Sequence, residues 1–297
     1  MKQTIFRGIA TALATPMREN GEVDYDSFGR LIDWQIDSGV NALVACGTTG
    51  ESATLREQEQ QEVIAFTIRR AAGRVPVIAG TGTNSTEHAI EKTKFACAAG
   101  ADGVLVVTPY YNKATQAGLI AHYRAIADAS TVPVIAYNVP SRTGCNLLPE
   151  TCAALAEHPR IAGVKEASGD ITQILTTAAL THGRLDLYSG NDDQIVPVLS
   201  VGGIGCVSVL SNVLPREAVA ICDRFFAGDT AGAAQLQRDT LPLVKALFSQ
   251  VNPIPVKAAL AAMGYGSEAG IRMPLTPMES APKAKLLAEL KKWGVLA

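Results

Sequence analysis

The sequence predicts an α/β fold, a (β/α)8 barrel with a helical region appended at its C-terminus. Three observations carry that reading. Short runs rich in Val, Ile, Ala and Leu recur along the chain, each ending in Gly, Pro, Thr or Asn. Longer stretches with helical signals lie between them, at a spacing of roughly 25–30 residues that suits a strand, a helix and short loops. The runs are also nearly continuous in apolar character, as strands of a parallel sheet covered on both faces are.

The elements follow in order. GIATALATP opens the series, and Asp24 then stands as a helix cap ahead of SFGRLIDWQI. ALVACGTTG is the second strand; Thr54 with Glu57 three residues on reads as a capping box for the helix after it. PVIAGTG is the third, and Ser85 caps the run TEHAIEKTKFA. GVLVVTPYYN and PVIAYNVP are the fourth and fifth, the latter resembling PVIAGTG as one βα repeat resembles another. IAGVKEAS, LDLYSGND and GIGCVSVLSN complete eight. An open doubly wound sheet is the structural alternative, but no GxGxxG follows the first strand. After Gly228 the alternation stops, and 229–250, 255–264 and 281–293 read as helices separated by NPIP and MPLTP. Residues 1–227 are therefore assigned to a TIM barrel and 228–297 to an appended helical region.

Composition narrows the function classes. The 297 residues carry a formal net charge of -2, with a pI of about 6.1 and no basic block, which argues against nucleic acid or an anionic membrane as partner. MKQTIFRGIA lacks the apolar core of a signal peptide, and no uninterrupted apolar stretch reaches the ~18 residues of a membrane span. Six cysteines without a CxxC pair and four dispersed histidines give no zinc pattern. A cytoplasmic protein with free thiols and no metal is the expectation.

One residue breaks the pattern. Lys165 lies in the middle of the apolar run IAGVKEAS, where an unpaired ammonium is costly. Strand alternation puts Gly163, Lys165 and Ala167 on one face and Ala162, Val164 and Glu166 on the other. If the lysine face is the barrel interior, small neighbours leave room beside the amine, at the strand end where barrel enzymes place their chemistry. The alternative is a lysine snorkelling into solvent. Other strand ends favour the first reading: Thr48-Thr49, Tyr110-Tyr111 and Tyr137 close three runs with hydroxyls. Taken singly, each has a dull role as packing or turn residue. Together with a lysine they form a proton-transfer set without a metal. A neutral amine attacks a ketone to give a carbinolamine and then an iminium, an electron sink that acidifies the neighbouring carbon. An ordinary lysine amine is neutral about once in a thousand at pH 7, so burial, which favours the neutral form, supplies the nucleophile.

GTTGES, TPYYN, YNVPSRTG, GVKEASGD and NPIPVK resemble the dihydrodipicolinate synthase family, pyruvate-dependent Schiff-base lyases related to N-acetylneuraminate lyase. The resemblance runs from Gly8 to the C-terminus. GTTGE and YN-P alone mark only the superfamily; paired tyrosines, SRTG and KEASGD mark the synthases. The resemblance implies that Lys165 forms the Schiff base with pyruvate and Tyr137 carries protons. Thr48 and Tyr111 would complete a hydroxyl relay, with Tyr111 reaching in from a neighbouring subunit of a homotetramer. Thr49 would hold the pyruvate carboxylate and Arg142 that of aspartate semialdehyde, while Gly190 and Val207 line the pocket. No cofactor is implied. An end-product site is implied beside Ser52, Ala53, Asn84 and Tyr110, with Glu57 and His88 standing where lysine-sensitive relatives carry other residues. A sister aldolase acting on a sugar-derived keto acid would keep Lys165, Tyr137 and Thr48, but SRTG and Tyr110-Tyr111 argue against it. A non-enzymatic barrel would have little reason to keep the set together.

Overall fold

In the computed structural model, which describes residues 3–296, eight parallel strands close on themselves in chain order. They are β1 (Gly8–Ala12), β2 (Ala42–Ala45), β3 (Val77–Gly80), β4 (Gly103–Val107), β5 (Val134–Asn138), β6 (Ile161–Glu166), β7 (Asp186–Ser189) and β8 (Gly205–Ser208), with β8 pairing back to β1. Every one falls within a run read from the sequence. A helix covers each strand from outside, which is why the strands are apolar on both faces.

The helix starts show which local signals were strong. The Asp24 carboxylate accepts the Ser27 backbone N–H at 3.2 Å, and the Ser85 hydroxyl accepts that of His88 at 3.4 Å, both as expected of N-caps. Thr54 does not cap. The helix Glu57–Ala71 starts after Arg56, whose backbone N–H donates to Glu59 Oε2 at 2.8 Å. Thr54 instead donates its hydroxyl to the Glu51 carbonyl at 3.1 Å. The start lies there because Arg272, distant in sequence, pins Glu59 in place with two hydrogen bonds of 2.8 and 2.7 Å.

Apolar side chains fill two spaces. One layer lies between sheet and helices; a separate cluster, including Ala10, Val44, Ile78, Leu105, Ile135 and Val207, fills the barrel interior. Toward the strand starts Phe6 stacks on Tyr188 with ring centroids 4.2 Å apart, and Tyr188 Oη donates to the Phe6 carbonyl at 2.8 Å. Such a pair adds roughly 0.5–1.5 kcal/mol beyond the area it buries. That pair fills the end of the barrel interior opposite the cavity described below.

Beyond the helix Pro215–Phe226 lie Thr230–Leu247, Ile254–Ala262 and Ser280–Lys292. The first packs along Pro215–Phe226 and along Ser280–Lys292. The turn between Leu247 and Ile254 brings Asn252 to the barrel mouth, where it meets Thr49 and Arg142.

Candidate active site

Lys165 settles its own question by position. It is 6% exposed, on β6 opposite Tyr137 of β5 and Tyr188 of β7, so its side chain shares the interior face with theirs. It does not snorkel. Among the described residues it makes no hydrogen bond or ion pair; its nearest aromatic neighbour is Tyr137, whose ring centroid is 4.1 Å from Nζ. A Cβ added at Gly190 would stand 3.1 Å from Lys165 Cε and 2.6 Å from Ala167 Cβ. Glycine there is what lets the lysine stem lie against the loop after β7.

A cavity of about 180 Å³ opens above this floor, walled by Lys165, Tyr137, Thr48, Thr49, Arg142 and Gly190. The turn after β2, the end of β5 with the short helix that follows it, β6, and the loops after β7 and β8 converge there, joined by Asn252 from the C-terminal region. Arg142 stands on the short helix Pro140–Thr143, exposed at the rim. A larger cavity of about 350 Å³ shares Thr48, Arg142 and Asn252 with the first and extends past Ser52, Ala53 and Tyr110.

Other sequence candidates lie apart. Val207 is packed in the barrel interior with no exposure, and Val209 forms the cavity wall in its place. Tyr111 is 91% exposed with a left-handed φ of 72° and stays outside its own chain's cavity. Asn84 accepts from Asn112 Nδ2 at 2.9 Å through its backbone carbonyl. His88 and Glu57 are exposed on their helices.

Buried charge behind the site escaped sequence reading. Glu166 faces away from Lys165 and accepts from Asn138 Nδ2 at 3.0 Å and from the Ser168 backbone N–H at 2.7 Å. Burial pushes its carboxyl above the usual range, against those bonds. It ties together the strand ends that carry Tyr137 and Lys165. Asp192 is fully buried in the turn after β7, held by Ser208 and by the backbone N–H groups of Val209 and Leu210, both at 3.0 Å. Burial raises its carboxyl too, while the charge of Lys165 pulls it down. Glu51, next to the Thr48-Thr49 turn, is ion-paired with Lys257 of the appended region and accepts the Arg272 backbone N–H at 3.1 Å. Burial pulls the Lys257 amine down and Glu51 opposes it; Arg272 holds Glu59 well below the usual carboxylate range. Strand alternation gave Glu166's face, but partners 200 residues away left no local signal.

A buried amine with no direct ion pair on the floor, hydroxyl side chains in the same cavity wall and an arginine at the rim suit covalent capture of a small keto acid. Among the described residues no group of three or more His, Cys, Asp or Glu is placed to hold a metal ion, and no helix is long and apolar enough to cross a membrane. The model of the dihydrodipicolinate synthetase family matches residues 5–293. The chain belongs to that family. The chain is 55% identical to the 4-hydroxy-tetrahydrodipicolinate synthase of Lachnoclostridium phytofermentans, across 98% of this chain and 99% of the relative. Among solved structures, the dihydrodipicolinate synthase of Thermotoga maritima superposes with a TM-score of 0.96 at 45% identity, over 99% of this chain and 100% of that one. That of Acinetobacter baumannii, described as chloride-inhibited and complexed with pyruvate, gives 0.96 at 44% identity over 99% and 100%. The family resemblance read from the motifs is thereby borne out over nearly the whole chain.

Proposed function

We propose that this chain condenses pyruvate with L-aspartate 4-semialdehyde to give 4-hydroxy-tetrahydrodipicolinate, the committing step of the diaminopimelate route to lysine. The observation that carries the reading is Lys165, buried beside Tyr137 on the cavity floor and, among the described residues, with no hydrogen bond or direct ion pair to hold its amine. The Lys165 amine attacks C2 of pyruvate, water leaves, and the iminium acidifies the methyl group. Loss of a methyl proton gives an enamine, which adds to the aldehyde carbon of the semialdehyde. The amino group of the adduct then attacks the iminium carbon, closes the ring and releases Lys165.

The remaining residues take roles by position. Tyr137, whose ring lies against the Lys165 amine, moves protons to and from the reacting nitrogen, and Thr48 lines the same cavity. Thr49 receives the pyruvate carboxylate. Arg142 at the rim suits the carboxylate of the second substrate, since a guanidinium fork matches its two oxygens. Tyr111, too exposed to serve its own cavity, completes the relay in a neighbouring subunit of a homotetramer. The iminium formed on Lys165 is itself the electron sink, so the scheme calls for no further cofactor.

Turnover decides between this reaction and that of a sister aldolase. Purified enzyme consumes pyruvate and aspartate semialdehyde together and leaves sugar-derived 2-keto acids intact; cleavage of the latter with no semialdehyde turnover overturns the proposal. Mixing inactive Tyr111→Phe and Tyr137→Phe chains checks the crossing. Partial recovery on subunit exchange is expected if Tyr111 acts in trans, because one site then receives neither defect. No recovery contradicts it.

A further inference from the structure

Asn252 lies in the turn between the helices Thr230–Leu247 and Ile254–Ala262, 6% exposed, where the appended region meets the barrel mouth. It reaches two groups assigned above to different substrates. Its side-chain Nδ2 donates to Thr49 Oγ1 at 3.0 Å, and its backbone carbonyl accepts from Arg142 Nη2 at 3.2 Å. Its Oδ1 is buried with no partner. It lines both adjoining cavities.

The hydrogen-bond inventory gives this arrangement a direction. A threonine hydroxyl has one hydrogen and two lone pairs. With an amide N–H on one lone pair of Thr49, the hydroxyl hydrogen has to point elsewhere and is free to be donated to an anion. The opposite amide orientation would put Oδ1 on Thr49, consume that hydrogen, and present only lone pairs to a carboxylate. A buried acceptor left unpaired is a cost that packing alone does not call for; here it accompanies the orientation that keeps Thr49 a donor.

We propose that Asn252 is a positioning residue that aims the Thr49 hydroxyl at the pyruvate carboxylate and fixes the reach of Arg142, making the appended helical region part of substrate recognition. The proposal rests on the roles given above to Thr49 and Arg142. Asn252 lines the cavities beside them and acts through their geometry.

Two substitutions in the full-length enzyme separate aiming from packing. Asn252→Asp keeps shape and the backbone carbonyl but can only accept, so it takes the Thr49 hydrogen and sets a negative charge behind the anion site. Asn252→Ala removes the side chain and lets the hydroxyl rotate. The expected order is a rise in pyruvate KM of at least about 10-fold for Asp, the scale of one charge-assisted hydrogen bond, and a smaller rise for Ala. In a Thr49→Val background, Asn252→Ala has no further effect on pyruvate KM. A packing role gives the reverse, with Ala worse than Asp and kcat, KM and melting temperature falling off together. Wild-type pyruvate KM in Asn252→Asp overturns the proposal, as does an unchanged Asn252→Ala effect in the Thr49→Val background, which needs no folded Asp variant. Borohydride trapping of pyruvate by the wild type keeps the two levels apart. If the wild type traps none, the underlying assignment fails; if it traps and Asn252→Asp traps at the same pyruvate concentration, only this inference fails.

Discussion

Replacing Lys257 with Met leaves the Glu51 carboxylate buried without its counter-ion. The Glu51 side chain has 0% exposure and that of Lys257 7%, so water cannot take the ammonium's place. One partner survives, the Arg272 backbone N–H at 3.1 Å on Oε2. Breaking a buried pair from one side costs about 3–5 kcal/mol. At the ~2 °C per kcal/mol typical of larger chains, the melting temperature drops by roughly 6–10 °C. Glu51 directly follows the Thr48-Thr49-Gly50 turn, so pyruvate KM rises as well. The double variant Glu51→Gln, Lys257→Met removes both charges while an amide oxygen still accepts from Arg272, and most of the lost stability returns. Thermal and urea unfolding of wild type, single and double variants, with pyruvate kinetics on each, give the comparison. A single variant within about 1 kcal/mol of wild type, or a double variant no better than the single, refutes the reasoning.

Three further outcomes are expected. Arg142→Ala lowers kcat/KM for aspartate semialdehyde by about 10- to 150-fold, the loss of one charge-assisted contact, and spares pyruvate trapping; the opposite split would move Arg142 to the pyruvate site. Millimolar lysine inhibits weakly or not at all, because His88 offers an incoming ammonium no carboxylate and Lys92, donating to Gln60 Oε1 at 2.7 Å, already puts a cation on the wall of the larger cavity. Half-inhibition below about a millimolar in a titration at fixed pyruvate contradicts this. His122, buried against Thr86 with 2.9 Å between Nδ1 and Oγ1, has its pKa pulled down to about 4 by burial. The unfolded chain takes up that proton below about pH 6.5 and the folded one does not. Stability present above pH 6.5 is therefore lost as pH falls toward 4, by roughly 2–3 kcal/mol. His122→Gln flattens the unfolding profile in that window; an identical profile in the variant removes His122 as the cause.

Strands and barrel were legible because each βα unit repeats one local pattern, and eight repeats leave few alternatives to closure. Alternation put Lys165 on one face with Gly163 and Ala167, the hydroxyls at other strand ends favoured that face as the interior, and the register of Lys165 beside Tyr137 bears this out. Legibility ended where partners are distant in sequence. Glu51 meets Lys257 across 206 residues and Thr49 meets Asn252 across 203, and no periodicity encodes either. The Thr54 cap failed for the same reason, since Arg272 fixes Glu59 and with it the helix start. Alternation put Glu166 on the face opposite Lys165, and only the fold shows it buried and bonded to Asn138. Tyr111 was grouped with the site by its motif, and the fold leaves it exposed outside the cavity of its own chain.

The central claim is that the Lys165 amine captures pyruvate. Incubating the enzyme with pyruvate, reducing with borohydride and mapping the product by peptide mass spectrometry tests it directly. A single reduced pyruvate adduct per chain is expected, on Lys165, with no adduct in Lys165→Ala. An adduct on Lys257, on the exposed Lys113, or undiminished labelling of the Lys165→Ala variant would contradict it.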